Sequence, residues 1–181
     1  AAFGAAQGFL IQRFGLAPFI VPLAGMFLAR GCCYLISTES IPITDATYTG
    51  IAQARIPVGF DASLTVGAVV AIVMVLAGMR LAHASEFGRT VYAIGGGESA
   101  ARLMGLPVAA TRVRVYLLSG FTAALAGIVM TFYMLSGYSL HAVGLELDAI
   151  AAVVIGGTLL TGGVGYVAGT VVGVLILGII Q

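Results

Sequence analysis

The chain of 181 residues contains no lysine. A phosphate loop of the GxxxxGK[ST] kind needs that lysine at the terminal phosphates, so nucleotide binding of this type is excluded. Charge of either sign is scarce: eight arginines face seven acids for a net +1, and charged residues make up 8% of the sequence. A soluble domain carries roughly 25%. So even a balance leaves no basic footprint for nucleic acid. Histidine and cysteine are equally few. His83 and His141 lie far apart without a ligand partner three or four residues away, and Cys32 and Cys33 are adjacent in an apolar run. A disulfide between neighbouring cysteines would be strained and zinc would lack two further ligands, so the pair reads as packing residues. No metal or cofactor is expected.

What is abundant is apolar sequence: 60% of residues are hydrophobic and the mean hydropathy is +1.12. Such a chain reads as an integral membrane protein of all-α, polytopic architecture. Residues 1–12 carry Gly4 and Gly8 at a spacing that lets helices approach closely, and Arg13 follows. Residues 16–37 number 22, about 33 Å as a helix and enough to cross a hydrocarbon core of about 30 Å. Pro18 and Pro22 fall near the start of that span, where missing amides are tolerated. Arg30 lies inside it and must snorkel, pair or face a polar interior. Residues 38–61 turn polar, with Glu39, Asp45 and Asp61 against Arg55 and with Pro42 and Pro57 as breakers, as expected of an outer loop. The runs 64–82 and 115–135 are two further spans, the latter with Gly120 and Gly127 marking close packing and Tyr133 near an interface. Ala1 is not a methionine and Gln181 follows directly on an apolar run. Residues 1–181 are therefore expected to form a single transmembrane domain cut from a longer chain.

Between those two spans lies the one polar island, residues 85–114. It holds Arg89, Arg102, Arg112 and Arg114, with Arg80 just upstream, against only Glu86 and Glu98. This bias places the loop on the cytoplasmic side. Within it, 98–104 reads as a short helix of good helix formers, preceded by the breaker Gly95-Gly96-Gly97 and stopped by Gly105 and Pro107. The three glycines neither match GxGxxG nor follow a strand, so dinucleotide binding is excluded.

Toward the carboxy-terminal side, Glu146 and Asp148 head the apolar run 147–155. Acids in a first helical turn complement the helix dipole, so both read as helix-capping residues, with contact along a transport pathway as the alternative. Gly156, Gly157, Gly162, Gly163 and Gly165 then interrupt the pattern, and Gly169 and Gly173 continue into a last helix, 166–180. These glycines serve helix packing or helix breaking, and the short segment before the break suits a half-inserted helix of the transporter kind. Ser119 and Ser136 lack a GxSxG frame, and no hydrolase is expected.

The phrases FGRTVYAIGGGESAARLMGLPV (87–108), LSGFTAALAG (118–127), ELDAIAAVVIGGTLLTGGVGYVAGTVVGVLILG (146–178) and PFIVPLAGMFLARG (18–31) resemble the permease subunits of bacterial sugar ABC importers, the ribose, xylose and galactofuranose group. FLARGCCYLIST and TFYMLSGY are most similar to the galactofuranose permeases, which pair two unlike subunits. The resemblance implies a multi-pass subunit of the bacterial inner membrane that lines a sugar path and catalyses nothing itself. Its implied partners are a cytoplasmic ABC ATPase, a second permease subunit of the same or a different chain, a periplasmic sugar-binding protein and the lipid bilayer. It also implies that Glu98, Ala101, Arg102, Met104, Gly105, Leu106 and Pro107 form a coupling helix against the ATPase. Two positions depart from the pattern: Gly97 stands where asparagine is usual, and Pro22 where threonine is. A branched-chain amino acid permease and a non-transporting membrane anchor or receptor module are the alternatives.

Overall fold

A computed structural model describes residues 1–59 and 62–180; Asp61 lies outside the described residues. The architecture is mostly helical, with two small antiparallel ribbons. The helices are α1 (Ala2–Phe14), α2 (Ile20–Ile36), α3 (Ala46–Gln53), α4 (Val66–Met79), α5 (Glu86–Gly96), α6 (Glu98–Leu103), α7 (Val108–Met134), α8 (Leu145–Ile155) and α9 (Val167–Ile180). A π-helical turn, Arg80–Ala84, extends α4. Strand β1 (Ile41–Pro42) pairs with β4 (Ser136–Gly137), and β2 (Arg55–Gly59) pairs with β3 (Ala62–Thr65). Among the described residues, Val66–Ala84 with 19 residues and Val108–Met134 with 27 are long and apolar enough to cross a membrane.

Element limits follow local chemistry. Pro18 keeps the preceding residue out of helical backbone, so α2 starts at Ile20 and is 17 residues long, shorter than the expected 16–37. Pro22 still falls in its first turn. Helix α7 begins seven residues before the expected 115, immediately after Pro107, and takes Arg112 and Arg114 into the helix. The polar loop thereby shrinks from 85–114 to 85–107. At its other end α7 stops where Leu135 adopts φ +50°, and the Leu135 carbonyl accepts the Ile43 amide at 2.9 Å to extend the β1–β4 ribbon.

Contacts divide the chain into two compact units, residues 1–70 with 112–141 and residues 71–111 with 142–181. In the first, α1 lies against α7 through glycine. A Cβ on Gly4 would fall 2.3 Å from the Tyr116 carbonyl oxygen, and one on Gly8 2.9 Å from the Tyr116 Cβ. Ile11, on the same helix as Gly4 and Gly8, is 1% exposed. The Tyr116 hydroxyl donates to the Pro18 carbonyl at 3.1 Å, and Arg112 Nη1 donates to Gln12 Oε1 at 3.4 Å. Asp45 caps α3, its Oδ1 accepting from the Thr47 and Tyr48 amides at 2.9 and 3.0 Å. Tyr48 stacks on Phe132 at 4.5 Å and hydrogen-bonds the Thr131 hydroxyl.

In the second unit α8 and α9 pair through small residues. A Cβ on Gly169 would stand 2.0 Å from the Gly156 carbonyl oxygen, and one on Gly173 2.0 Å from that of Ala152. At Gly156, Gly169 and Gly173 the backbones of α8 and α9 thus approach too closely for a side chain. Gly127 differs: among the described residues nothing lies within 4 Å of a Cβ placed there.

Gly169→Ala or Gly173→Ala is expected to destabilise the full-length protein by about 1–3 kcal/mol through overpacking. Gly127→Ala is expected to stabilise it by up to about 1 kcal/mol through helix propensity alone. Thermal unfolding in detergent ranks the three. A second expectation concerns Asp45, whose carboxyl lies below its ordinary range because of the bond from the Tyr48 amide first, then those from Thr47. A depressed folded-state value means that the cap stabilises α3 above the ordinary carboxylate range and is lost as pH falls through the lowered one. Hydrogen exchange of 46–53, corrected for its intrinsic pH dependence, should rise on such acidification in the native protein and not in Asp45→Ala.

Candidate functional site

The loop 85–107 is built by successive caps. Ser85 caps α5, its Oγ accepting from the Gly88 amide at 3.0 Å, and Glu86 sits in the first turn against the helix dipole. The expectation that Gly95-Gly96-Gly97 breaks the chain is corrected here: α5 runs through Gly96, and only Gly97 lies between α5 and α6. Gly97 has extended backbone, φ 177°, which any residue adopts, and a Cβ there would meet only the Ala100 Cβ at 3.7 Å. The asparagine usual at this N-cap position would therefore fit, and its side chain would bond the first amides of α6.

The end of α6 is a Schellman turn. The Leu106 amide donates to the Ala101 carbonyl at 3.1 Å and the Gly105 amide to that of Arg102 at 3.0 Å, with Gly105 at φ +76°. Pro107 then prevents continuation. Helix α8 closes in the same way, with Thr158 donating to Val153 at 3.1 Å, Gly157 to Val154 at 2.9 Å, and Gly157 at φ +86°. Gly157 is thus a turn residue with open space around it, whereas Gly165 packs on Thr158, 2.9 Å from a Cβ to Thr158 Cγ2.

These turns decide which side chains face outward. Ala101 is completely buried, while Leu103 is 90% and Met104 66% exposed. Leu106 is half-buried, and Arg102, Gly105 and Pro107 are exposed. Glu98 Oε1 accepts from Arg102 Nη2 at 2.7 Å and from Nε at 3.3 Å, a surface pair one turn apart. Such a pair contributes about 0.3–0.5 kcal/mol, so it orients two polar side chains more than it holds the helix. Of the expected contact residues, Ala101 is buried. Leu103, absent from that set, is the most exposed large apolar side chain of α6. A leucine amid charges in a helix too short to show periodicity was the available signal.

Elsewhere, Glu146 and Asp148 occupy the first turn of α8, whose N-cap is Gly144 at φ +94°. Glycine has no side chain to cap with. Cys32 and Cys33 are free thiols on α2. His83 stacks beside Tyr92 and Tyr166, and His141 meets Tyr138 edge-on at 5.3 Å.

A family model described as "Branched-chain amino acid transport system / permease component" matches residues 1–181. The chain belongs to that permease family. Among curated relatives of this permease, the "Inner membrane ABC transporter permease protein YjfF" of Escherichia coli K12 is 48% identical across 99% of the chain and 54% of its own length. The "Fructose import permease protein FruG" of Bifidobacterium longum is 45% identical across 100% of the chain and 55% of its own length. The "Ribose import permease protein RbsC" of Bacillus subtilis is 40% identical across 95% and 53%. The permease chain spans about half the length of the curated relatives it matches. No solved structure matches it.

Gly105→Ala should cost roughly 1–2 kcal/mol, because an L side chain at this left-handed position is strained. The loss should appear as faster hydrogen exchange across 98–107. Leu103→Ser should leave that exchange unchanged.

Proposed function

We propose that this chain is part of the membrane-spanning permease subunit of an ATP-driven sugar importer. The observation that carries the reading is the pair of relatives named for fructose and ribose import, at 45% and 40% identity over almost the whole chain. Sugars are neutral and rich in hydroxyls. A path for them can be built from backbone groups, small side chains and aromatic faces, in keeping with 8% charged residues. The phrases FLARGCCYLIST and TFYMLSGY support galactofuranose as the cargo, carried between this subunit and a second permease subunit. A periplasmic sugar-binding protein delivers the sugar, and the whole sits in the bacterial inner membrane as a multi-pass protein.

In this proposal α6 docks on a cytoplasmic ATPase, which alone hydrolyses ATP. Exposed Leu103 and Met104 supply the apolar anchor, while Glu98, Arg102, Gly105, Leu106 and Pro107 surround it. Leu103 at the end of a six-residue helix and Met104 at its C-cap, flanked by charges, form a small core with a polar rim, the usual anatomy of a protein interface. A second reading, a branched-chain amino acid permease, is favoured by the wording of the family description.

Purification of the full-length protein with its partners distinguishes the two. In lipid nanodiscs, binding protein loaded with galactofuranose or ribose is expected to raise ATP hydrolysis, and leucine is not. Stimulation by leucine and by no sugar would replace the sugar reading with the amino acid one. For the docking role, Leu103→Asp is expected to strip the ATPase from the purified complex while the permease keeps its thermal stability. Retention equal to the native protein would remove Leu103 from the interface.

A further inference from the structure

Within the second unit, α5 meets the break between α8 and α9 backbone to backbone at Gly95 and Gly96. A Cβ on Gly95 would stand 2.4 Å from the Gly163 nitrogen; one on Gly162 would stand 3.0 Å from the Gly95 carbonyl oxygen; one on Gly163 would stand 3.0 Å from the Gly96 Cα. Gly162 and Gly163 hold φ +92° and +80°, so the turn that meets α5 is itself available only to glycine without strain. One turn earlier on α5, the Tyr92 hydroxyl donates to the Gly165 carbonyl at 2.7 Å. The His83 ring lies 6.0 Å from that of Tyr92 and 6.1 Å from that of Tyr166, both nearly parallel. The π-helical turn, α5 and the segment 162–166 therefore share one contact.

The same carboxy-terminal end of α5 is tied to α6. Gly97 donates its amide to the Ala93 carbonyl at 3.2 Å and accepts the Ala101 amide on its own carbonyl at 3.0 Å, so a single residue belongs to the hydrogen-bond ladders of both α5 and α6. A displacement of α6 reaches α5 through continuous hydrogen-bonded backbone. It then reaches Gly162 and Gly163 through backbone atoms that have no rotamers to absorb it, and Gly165 through the Tyr92 hydroxyl.

We infer that Tyr92, Gly95 and Gly163 form a positioning contact that passes movement of α6 to the α8–α9 break, setting the conformation of residues 156–166 in step with the ATPase cycle. The inference rests on the docking role proposed for α6. Tyr92 is the residue through which it can be tested with least damage, because Tyr92→Phe removes the hydroxyl donor and leaves the ring beside His83.

The test is hydrogen exchange on the full-length permease complexed with its ATPase in nanodiscs, without nucleotide and then trapped with ATP and orthovanadate. In the native complex, trapping is expected to change exchange in peptides covering 98–107 and 156–166. In Tyr92→Phe the change at 98–107 should persist and that at 156–166 should be lost, with the thermal stability of the complex retained. A full response at 156–166 in Tyr92→Phe overturns the inference unless Gly95→Ala, which forces the backbones apart, abolishes it; a full response in both variants ends it. If Gly95→Ala does not assemble, the Tyr92→Phe result decides alone. Native exchange that changes at 98–107 and not at 156–166 overturns the positioning contact and leaves the docking role standing. No change at 98–107 overturns both.

Discussion

Helices in this chain meet where side chains are missing. In hydrocarbon no hydrophobic force draws one apolar helix to another, because lipid tails are as apolar as leucine. Association then depends on how closely backbones approach, and glycine sets that distance. The α1–α7 seam at Gly4 and Gly8, the α8–α9 seam at Gly156, Gly169 and Gly173, and the α5 contact with Gly163 share this geometry. Large side chains are left on the outside: Phe9, Phe27, Leu76 and Leu175 are all more than half exposed, while Ile11, Ala101, Val108 and Ala152 are the buried apolar residues among those described. A soluble protein has the opposite arrangement.

Close approach would be of little use if it stranded backbone polar groups, which in a membrane have no water to turn to. The break between α8 and α9 shows how that cost is avoided. Gly156 donates to Ala152, Gly157 to Val154, Thr158 to Val153, Leu159 to Val164 and Gly162 to Leu159, all between 2.9 and 3.1 Å. Three glycines in left-handed conformation bend the chain back on itself so that these bonds can form. The non-helical segment is a hydrogen-bonded structure with its own contacts, one of which is with α5.

Part of this was legible in the residues. Good helix formers after a glycine and before Gly105-Leu106-Pro107 mark α6 to within a residue of its observed end, because the stop signals are local stereochemistry. The acids at Glu146 and Asp148 mark the start of α8 for the same reason. What a glycine is for was less legible. Gly95 and Gly96 look like breakers, yet they lie in α5, since their function is set by Gly162 and Gly163 nearly seventy residues away. Gly120 and Gly127 look alike in sequence, and only Gly120 has a backbone beside it, that of Gly4. The face of α6 was hidden too: six residues are under two turns, too few for periodicity to separate buried Ala101 from exposed Leu103.

Contacts made of backbone carry a consequence for how such a molecule responds to genetic analysis. Alanine scanning removes side-chain atoms at every residue type larger than alanine and adds a methyl group at glycine. At Gly95, Gly163 and Gly169 the scan therefore inserts a wedge, and its strongest signals report intrusion where elsewhere they report loss. Paired substitution is equally blind, because a partner without a side chain has nothing to shrink in compensation. The regions where this chain is held most tightly are those where its sequence can record the least about what holds it.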